Sequence, residues 1–202
     1  MIQIDTYINS FSRYIEQGKR EPWELILLLK GLLNDKIDSL GEEYLIKDHI
    51  AIHKTAHIEQ NVVIKSPAII GKDSFIGANS YLRNGVFLAN NVNIGTGCEI
   101  KSSIIFDHTA IAHFNFIGDS IIGSHVNFEA GSVTANHYNE RKNKDIFVKH
   151  EGVLKNTKVH KFGSLIGDHV KIGANAVLSP GTLLAKKSVI KRLELVEQIR
   201  ES

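Results

Sequence analysis

The stretch IIGKDSFIGANSYLRNGVFLANNVNIGTGCEI, residues 69–100, decides the fold. Within it Ile70, Ile76, Leu82, Leu88, Ile94 and Ile100 recur at a strict spacing of six. The same ruler runs backwards through Ile64 and Ile58 to Ile52, and forwards to Phe106 and Ala112. Two residues ahead of these stand Ala56, Val62, Ala68, Ser74, Ser80, Val86, Val92 and Cys98, mostly small or β-branched. A helix needs a period near 3.6 and an ordinary strand a period of 2, so neither accounts for a column at six. A solenoid does, if each hexapeptide forms one short flat face and three faces close a triangular coil. The aliphatic column then points inward and the small column fits the corner beside it. The spacing therefore predicts an all-β solenoid, a hexapeptide-repeat parallel β-helix, over residues 49–190.

Outward from this core the pattern changes three times. Residues 1–48 do not follow the hexads. A helix is expected over 6–17, with Tyr7, Ile8, Phe11 and Ile15 on one side. A second is expected over 25–40, entered through Glu21-Pro22-Trp23-Glu24, because proline suits the first turn and acids suit the positive end of the helix dipole. Gly41 is its expected stop. A solenoid end is an exposed sheet edge, so these helices are expected to cap the first coil. Within the hexads the register is expected to slip between Ala112 and Ile117 and again between Ile117 and Ile122, next to His113. Departures from a local rule gather at functional sites. After Asn136 the hexads stop, and 137–163 reads as an extruded loop rich in lysine, with a short strand at Ile146-Phe147-Val148. They resume at Ile166, Ile172, Leu178 and Leu184. The end, 191–202, reads as a short C-terminal helix, with Leu193, Val196 and Ile199 on one face.

Composition limits the function classes. The 202 residues carry a formal charge of +2 with both signs mixed and no aromatic-plus-basic repeat, which argues against a nucleic-acid platform. The longest apolar run, residues 25–29, is too short to span a bilayer. The opening residues lack the basic and apolar parts of a secretion signal, and Cys98 stands alone, so a cytoplasmic protein is expected. His108 and His113 make an H-x4-H pair, a spacing compatible with two metal ligands. A third histidine one or two coils earlier is lacking, since Lys72, Gly77, Asn90 and Gly95 occupy those positions, and no metal is expected.

The segment AHFNFIGDSIIGSHVNFEAGSVTAN, residues 112–136, resembles the acetyltransferase domain of bifunctional N-acetylglucosamine-1-phosphate uridylyltransferases. EPWEL at 21–25 and HKFGSLIGDHVKIGANAVLSPGT at 160–182 look closer to the archaeal-type sugar-1-phosphate nucleotidyltransferase/acetyltransferases. The constellation H-x4-G-D…V-N-x2-A-G-x2-T-x-N carries most of the likeness; no Gly-rich nucleotide-binding segment precedes it in these residues. The resemblance implies a left-handed β-helix and an N-acetyltransferase using acetyl-CoA on an amino-sugar 1-phosphate, glucosamine- or galactosamine-1-phosphate. It implies His113 as general base with Glu99 nearby. Arg83, Lys101, Phe116, Asn127 and Lys142 would contact the sugar phosphate, and Ala130, Asn136 and Ala174 would line the acetyl-CoA site. Phe116 stands where the bacterial family has a tyrosine, and Ala174 where it has a serine. The chemistry agrees: arginine and lysine grip phosphate, and an imidazole suits proton removal from an amine. A homotrimer is expected, with the basic loop of one chain reaching the His113 coil of the next. The alternative is a non-catalytic trimeric β-helix that serves as an assembly platform or partners a separate sugar nucleotidyltransferase.

Overall fold

A computed structural model describes residues 1–199. It is a left-handed parallel β-helix of about eight turns, built from hexapeptide coils. Three ladders of inward side chains run its length. On the first face Ile52, Ile70, Leu88, Ile105, Ile122, Ile166 and Leu184 pair rung to rung. On the second face the ladder is Ile58, Ile76, Ile94, Ile111, Phe128, Ile172 and Ile190. On the third it is Ile64, Leu82, Ile100, Ile117, Thr134, Leu178 and Val196. Every strand between coils is hydrogen-bonded on both sides, so backbone groups are satisfied while the aliphatic column stays dry. The corners between faces need left-handed backbone, supplied by residues such as Gly97, Phe114, Gly131 and Asn175 at one corner.

The register breaks differ in part from expectation. Phe106 and Ala112 do not extend the inward column; Ile105 and Ile111 do, each paired with an inward residue of the coil before. The first short step therefore falls between Ile100 and Ile105, not between Ala112 and Ile117. The second, between Ile117 and Ile122, falls where the spacing placed it. Phe106 turns outward instead, with its ring 5.7 Å from both Phe11 and Tyr14.

That outward turn belongs to a second core. Ile69, Phe87, Ile104, Ile121, Leu165 and Leu183 line the outside of the first face and are all buried. The N-terminal segment covers them. Its main element is the helix Pro22–Ile37, which begins with Pro22 in the first turn and the Glu21 N–H donating to Glu24 Oε2 at 2.7 Å. The helix buries Trp23, Leu25, Ile26, Leu29, Leu33 and Ile37 against this face. The N-terminal residues thus form a side layer along the solenoid rather than a cap on its first coil. The edge of that coil is covered by the strand Tyr44–Lys47, antiparallel to Ile50–His53. The expected helix over 6–17 is only a 3-10 turn at Ile4–Thr6 and one α-turn at Phe11–Tyr14.

The inserted segment 137–163 completes the side layer. Its expected short strand is a hairpin, Phe147–His150 against Val153–Asn156. Tyr138, Ile146, Val148 and Phe162 join the second core, and Trp23 meets Phe162 edge-on at 5.9 Å. A Lys155–Glu21 ion pair at 3.1 Å ties the insertion to the start of the long helix. The expected C-terminal helix is absent through residue 199. The chain makes one more coil there, with strands Val189–Ile190 and Leu195–Val196. Leu193 is a corner residue with φ 61, which no α-helix accommodates; residues 200–202 lie outside the described residues.

Candidate active site

The third face gathers most of the expected substrate residues. Parallel pairing sets Tyr81, Glu99 and Phe116 on successive rungs and Arg83, Lys101 and Gly118 beside them. Arg83 Nε donates to Glu99 Oε1 at 2.7 Å. Lys101 Nζ donates to Asp119 Oδ2, and Asn136 Nδ2 donates to the same oxygen. Both charged side chains of the Lys101–Asp119 pair are 9% exposed. The two cations expected to hold a phosphate are therefore each matched by a carboxylate. Gly118 makes room for Phe116: a Cβ there would stand 2.8 Å from the Phe116 ring and 2.9 Å from Asn136 Nδ2.

His113 lies at the corner between the second and third faces, with its side chain exposed. Its backbone is held from below and behind. Cys98 Sγ donates to Ala112 O at 2.8 Å, and buried Asn115 donates through Nδ2 to Ala112 O at 3.0 Å and His113 O at 3.2 Å. Asn115 Oδ1 accepts from Ser132 N–H at 2.9 Å, which joins this corner to the next coil. A Cβ on Gly95 would stand 2.7 Å from the Ala112 carbonyl carbon, so the coil below can approach the corner only with glycine there. Burial pushes the Cys98 thiol up from its ordinary value, which leaves it a structural residue rather than a nucleophile.

Ala130 and Ala174 continue the corner above His113: Gly131 N–H donates to His113 O and Asn175 N–H donates to Ala130 O, both at 3.0 Å. The Ala130 N–H makes no hydrogen bond among the described residues. Asn127 is elsewhere, exposed on the second face between Ala110 and Lys171. Lys142 is also apart, lining a separate cavity with Glu140, Arg141, Asn143 and Glu197. Of the expected residues, one chain brings together Arg83, Glu99, Lys101, Phe116 and Asn136 on one face, with His113, Ala130 and Ala174 along its edge.

Three residues of this region were missed from sequence. Asp119, inside the Gly-Asp of the motif, bonds both Lys101 and Asn136. Asn115 pins the His113 corner. Arg192 forms a bidentate pair with Glu129, Nε to Oε2 at 2.7 Å and Nη2 to Oε1 at 2.8 Å. The histidine pair His108–His113 is split between two corners. His108 stacks on His125 and His125 on His169, each at 4.9 Å between ring centres, and no group of three or more ligating side chains is poised for a metal among the described residues.

Fold and site together define a hexapeptide-repeat β-helix with a basic-acidic face beside an exposed corner histidine. Residues 66–199 match the model of the GMPPB C-terminal domain, and the chain belongs to that family. It is 33% identical over 174 residues to the bifunctional protein GlmU of Methanococcus aeolicus, covering 84% of this chain and 42% of the relative. It is 36% identical over 173 residues to a bifunctional sugar-1-phosphate nucleotidylyltransferase/acetyltransferase of Sulfurisphaera tokodaii, covering 83% of this chain and 42% of the relative. The chain thus spans less than half the length of these relatives. Among solved structures it is similar to the UDP-N-acetylglucosamine acyltransferase of Francisella novicida, with a TM-score of 0.24, 17% identity, and 69% of this chain and 62% of that one covered. Among the described residues no helix is long and apolar enough to cross a membrane.

Proposed function

We propose that this chain is an acetyl-CoA-dependent N-acetyltransferase acting on an amino-sugar 1-phosphate, with His113 as the general base. The observation that carries the reading is the placement of an exposed histidine at the edge of a polar face, directly below two small residues in a continuous corner column. The relatives' names support the substrate class. In the proposed step the neutral sugar amine attacks the thioester carbonyl, forming the C–N bond. The His113 imidazole accepts the ammonium proton as the tetrahedral centre forms, and collapse expels the CoA thiolate, which takes up a proton. The Ala130 N–H is the donor available to the oxyanion at this corner. No covalent acyl-enzyme is needed.

Arg83 and Lys101 remain the residues proposed to face the sugar phosphate, with Phe116 one rung and Asn136 two rungs beyond Lys101. Because Glu99 and Asp119 already balance both cations, a phosphate gains there only by displacing a carboxylate. Glu99 is therefore proposed to release Arg83 when the acceptor binds. Asn127 and Lys142 lie off this face within one chain, so their roles require a neighbouring copy. A homotrimer, with the second face of one chain opposite the third face of the next, is the assembly this reading requires. Thiol release from acetyl-CoA in the presence of glucosamine-1-phosphate or galactosamine-1-phosphate tests the activity. Release dependent on one of these acceptors is expected; none with either would sink the reading. Sedimentation tests the assembly: a monomer at micromolar concentration with activity retained would remove the trimer.

A further inference from the structure

We infer that the free edge of the strand Tyr44–Lys47 pairs with the same edge of a second copy of this chain, joining two solenoids head to head at their N-terminal ends. The strand covers the first coil but is itself the last strand of its sheet, bonded only to Ile50–His53. Asp48 and His49, both with left-handed backbone at φ 49 and 56, make the two-residue turn between these strands. Such a turn matches the twist of an antiparallel hairpin. The hairpin is therefore formed within one chain, and its outer edge needs no rearrangement to accept another strand.

The hydrogen bonds tell which groups that edge offers. Lys54 N–H donates to Glu43 O at 2.9 Å. Pairs alternate along an antiparallel ladder, so Glu43, Leu45 and Lys47 turn their backbone groups toward Lys54, Ile52 and Ile50. Tyr44 and Ile46 turn theirs the other way. The Tyr44 N–H donates to Gly41 O at 3.1 Å, whereas the Tyr44 C=O and both backbone groups of Ile46 find no hydrogen-bond partner among the described residues. The side chains add apolar surface, since Leu45 is 62% and Ile46 46% exposed. An exposed apolar edge is a template for a further strand.

Charge selects the occupant. A lysine on an edge ordinarily discourages pairing. Antiparallel self-pairing centred on Leu45 instead sets Glu43 opposite Lys47 of the second copy and Tyr44 opposite Ile46, and the two-fold axis repeats both. Each Ile46 N–H then donates to a Tyr44 C=O across the axis, and two Glu43–Lys47 pairs flank the two leucines. Glu43 and Lys47 are exposed and make no ion pair within the chain among the described residues. The neighbouring registers that keep the outward hydrogen bonds set Leu45 opposite Lys47 or opposite Glu43 and lose both ion pairs, so charge fixes the register. Glu42 and Asp48 also fall opposite one another, but both lie outside the strand. Each chain has one such edge, so copies join in pairs through an isologous contact.

Mass in solution tests the pairing, measured by sedimentation at rising protein concentration. Ile46→Pro removes the outward donor but no bond of the hairpin, because proline is tolerated where the N–H faces away from the sheet. It sets the unpaired mass, whether that is one chain of 22.5 kDa or a larger assembly of chains. Wild type is expected at twice that mass. Glu43→Lys and Lys47→Glu each set like charges across the axis and are each expected to weaken self-association by roughly tenfold or more. Mixed together, these two variants are expected to restore the doubled mass, because every lysine then meets a glutamate. The inference is overturned by wild type no heavier than Ile46→Pro, or by either charge reversal doubling as readily as wild type. It is also overturned by a mixture that stays unpaired while each variant keeps the wild-type melting temperature. Turnover does not enter the readout, so failure of the acetyl-transfer reading and failure of this contact are told apart.

Discussion

Asp119→Asn isolates the energetic centre of the third face. The substitution keeps an acceptor for Lys101 and Asn136 but removes the charge that balances the Lys101 ammonium. Asn also tolerates the left-handed backbone at this position, where φ is 47, so no new strain enters. Breaking a buried ion pair by removing one partner costs about 3–5 kcal/mol, and the retained hydrogen bonds place this change near the lower end. A domain of this size loses roughly 2–4 °C of melting temperature per kcal/mol, so a drop of about 6–12 °C is expected. Lys101→Met leaves the opposite charge stranded, whereas the Lys101→Met/Asp119→Asn double variant strands none. Thermal unfolding of the four proteins should therefore give a favourable coupling of roughly 2 kcal/mol or more. A drop below about 2 °C for Asp119→Asn, or additive single effects, would refute the claim that this pair is a buried, mutually dependent unit.

Other outcomes follow from the same structure. Phe106→Ala should cost about 3–5 kcal/mol and expose the N-terminal side layer to limited proteolysis, because its ring packs outward against Phe11 and Tyr14. If Phe106 instead filled the solenoid interior, the side layer would stay protected. The Glu21 carboxyl is raised by burial, but hydrogen bonds from the Ile2 N–H and Lys155 outweigh this and leave it below its ordinary value of 4.5. Its contribution is thus present above that value and lost as pH falls through the lower folded value. Wild type should lose more stability than Glu21→Gln on acidification below pH 4.5, by up to about 1 kcal/mol, as read from melting temperature against pH. Arg83→Ala should raise the acceptor KM while lowering kcat less, because it removes a phosphate contact rather than the base. Equal kcat and KM to wild type would take Arg83 out of the site.

The solenoid was legible because each hexapeptide admits one inward aliphatic per face, so burial writes a period of six directly into the chain. The first register break was misplaced for a physical reason. Ile105-Phe106 and Ile111-Ala112 are each two consecutive apolar residues, and only pairing with Leu88 and Ile94 decides which member points in. The side layer had a signal in the sequence: an extra apolar residue precedes the inward one at Ile69, Phe87, Ile104, Ile121, Leu165 and Leu183, nearly once per coil. Those residues read as neighbours of the ruler rather than as a second, outward-facing column. At the end of the chain, Leu193, Val196 and Ile199 mimic a helical spacing, but Ile190 and Val196 continue the six. The Glu129–Arg192 contact joins residues 63 positions apart across two rungs, one of them reached only after the insertion, and no local pattern reports it. The family resemblance implied a shared role for His113, Arg83 and Lys101; that Glu99 and Asp119 pair with the two cations was visible only in three dimensions.

The most direct test of the proposed chemistry is the turnover of His113→Ala with acetyl-CoA and the accepted amino-sugar 1-phosphate, measured on protein whose assembly and melting temperature match wild type. His113 is exposed, and its corner is held through backbone carbonyls by Cys98 and Asn115, so loss of the imidazole should leave the fold intact. The account predicts kcat lower by roughly 10²–10⁴ with little change in acceptor binding. Near-normal turnover by the folded variant would contradict it.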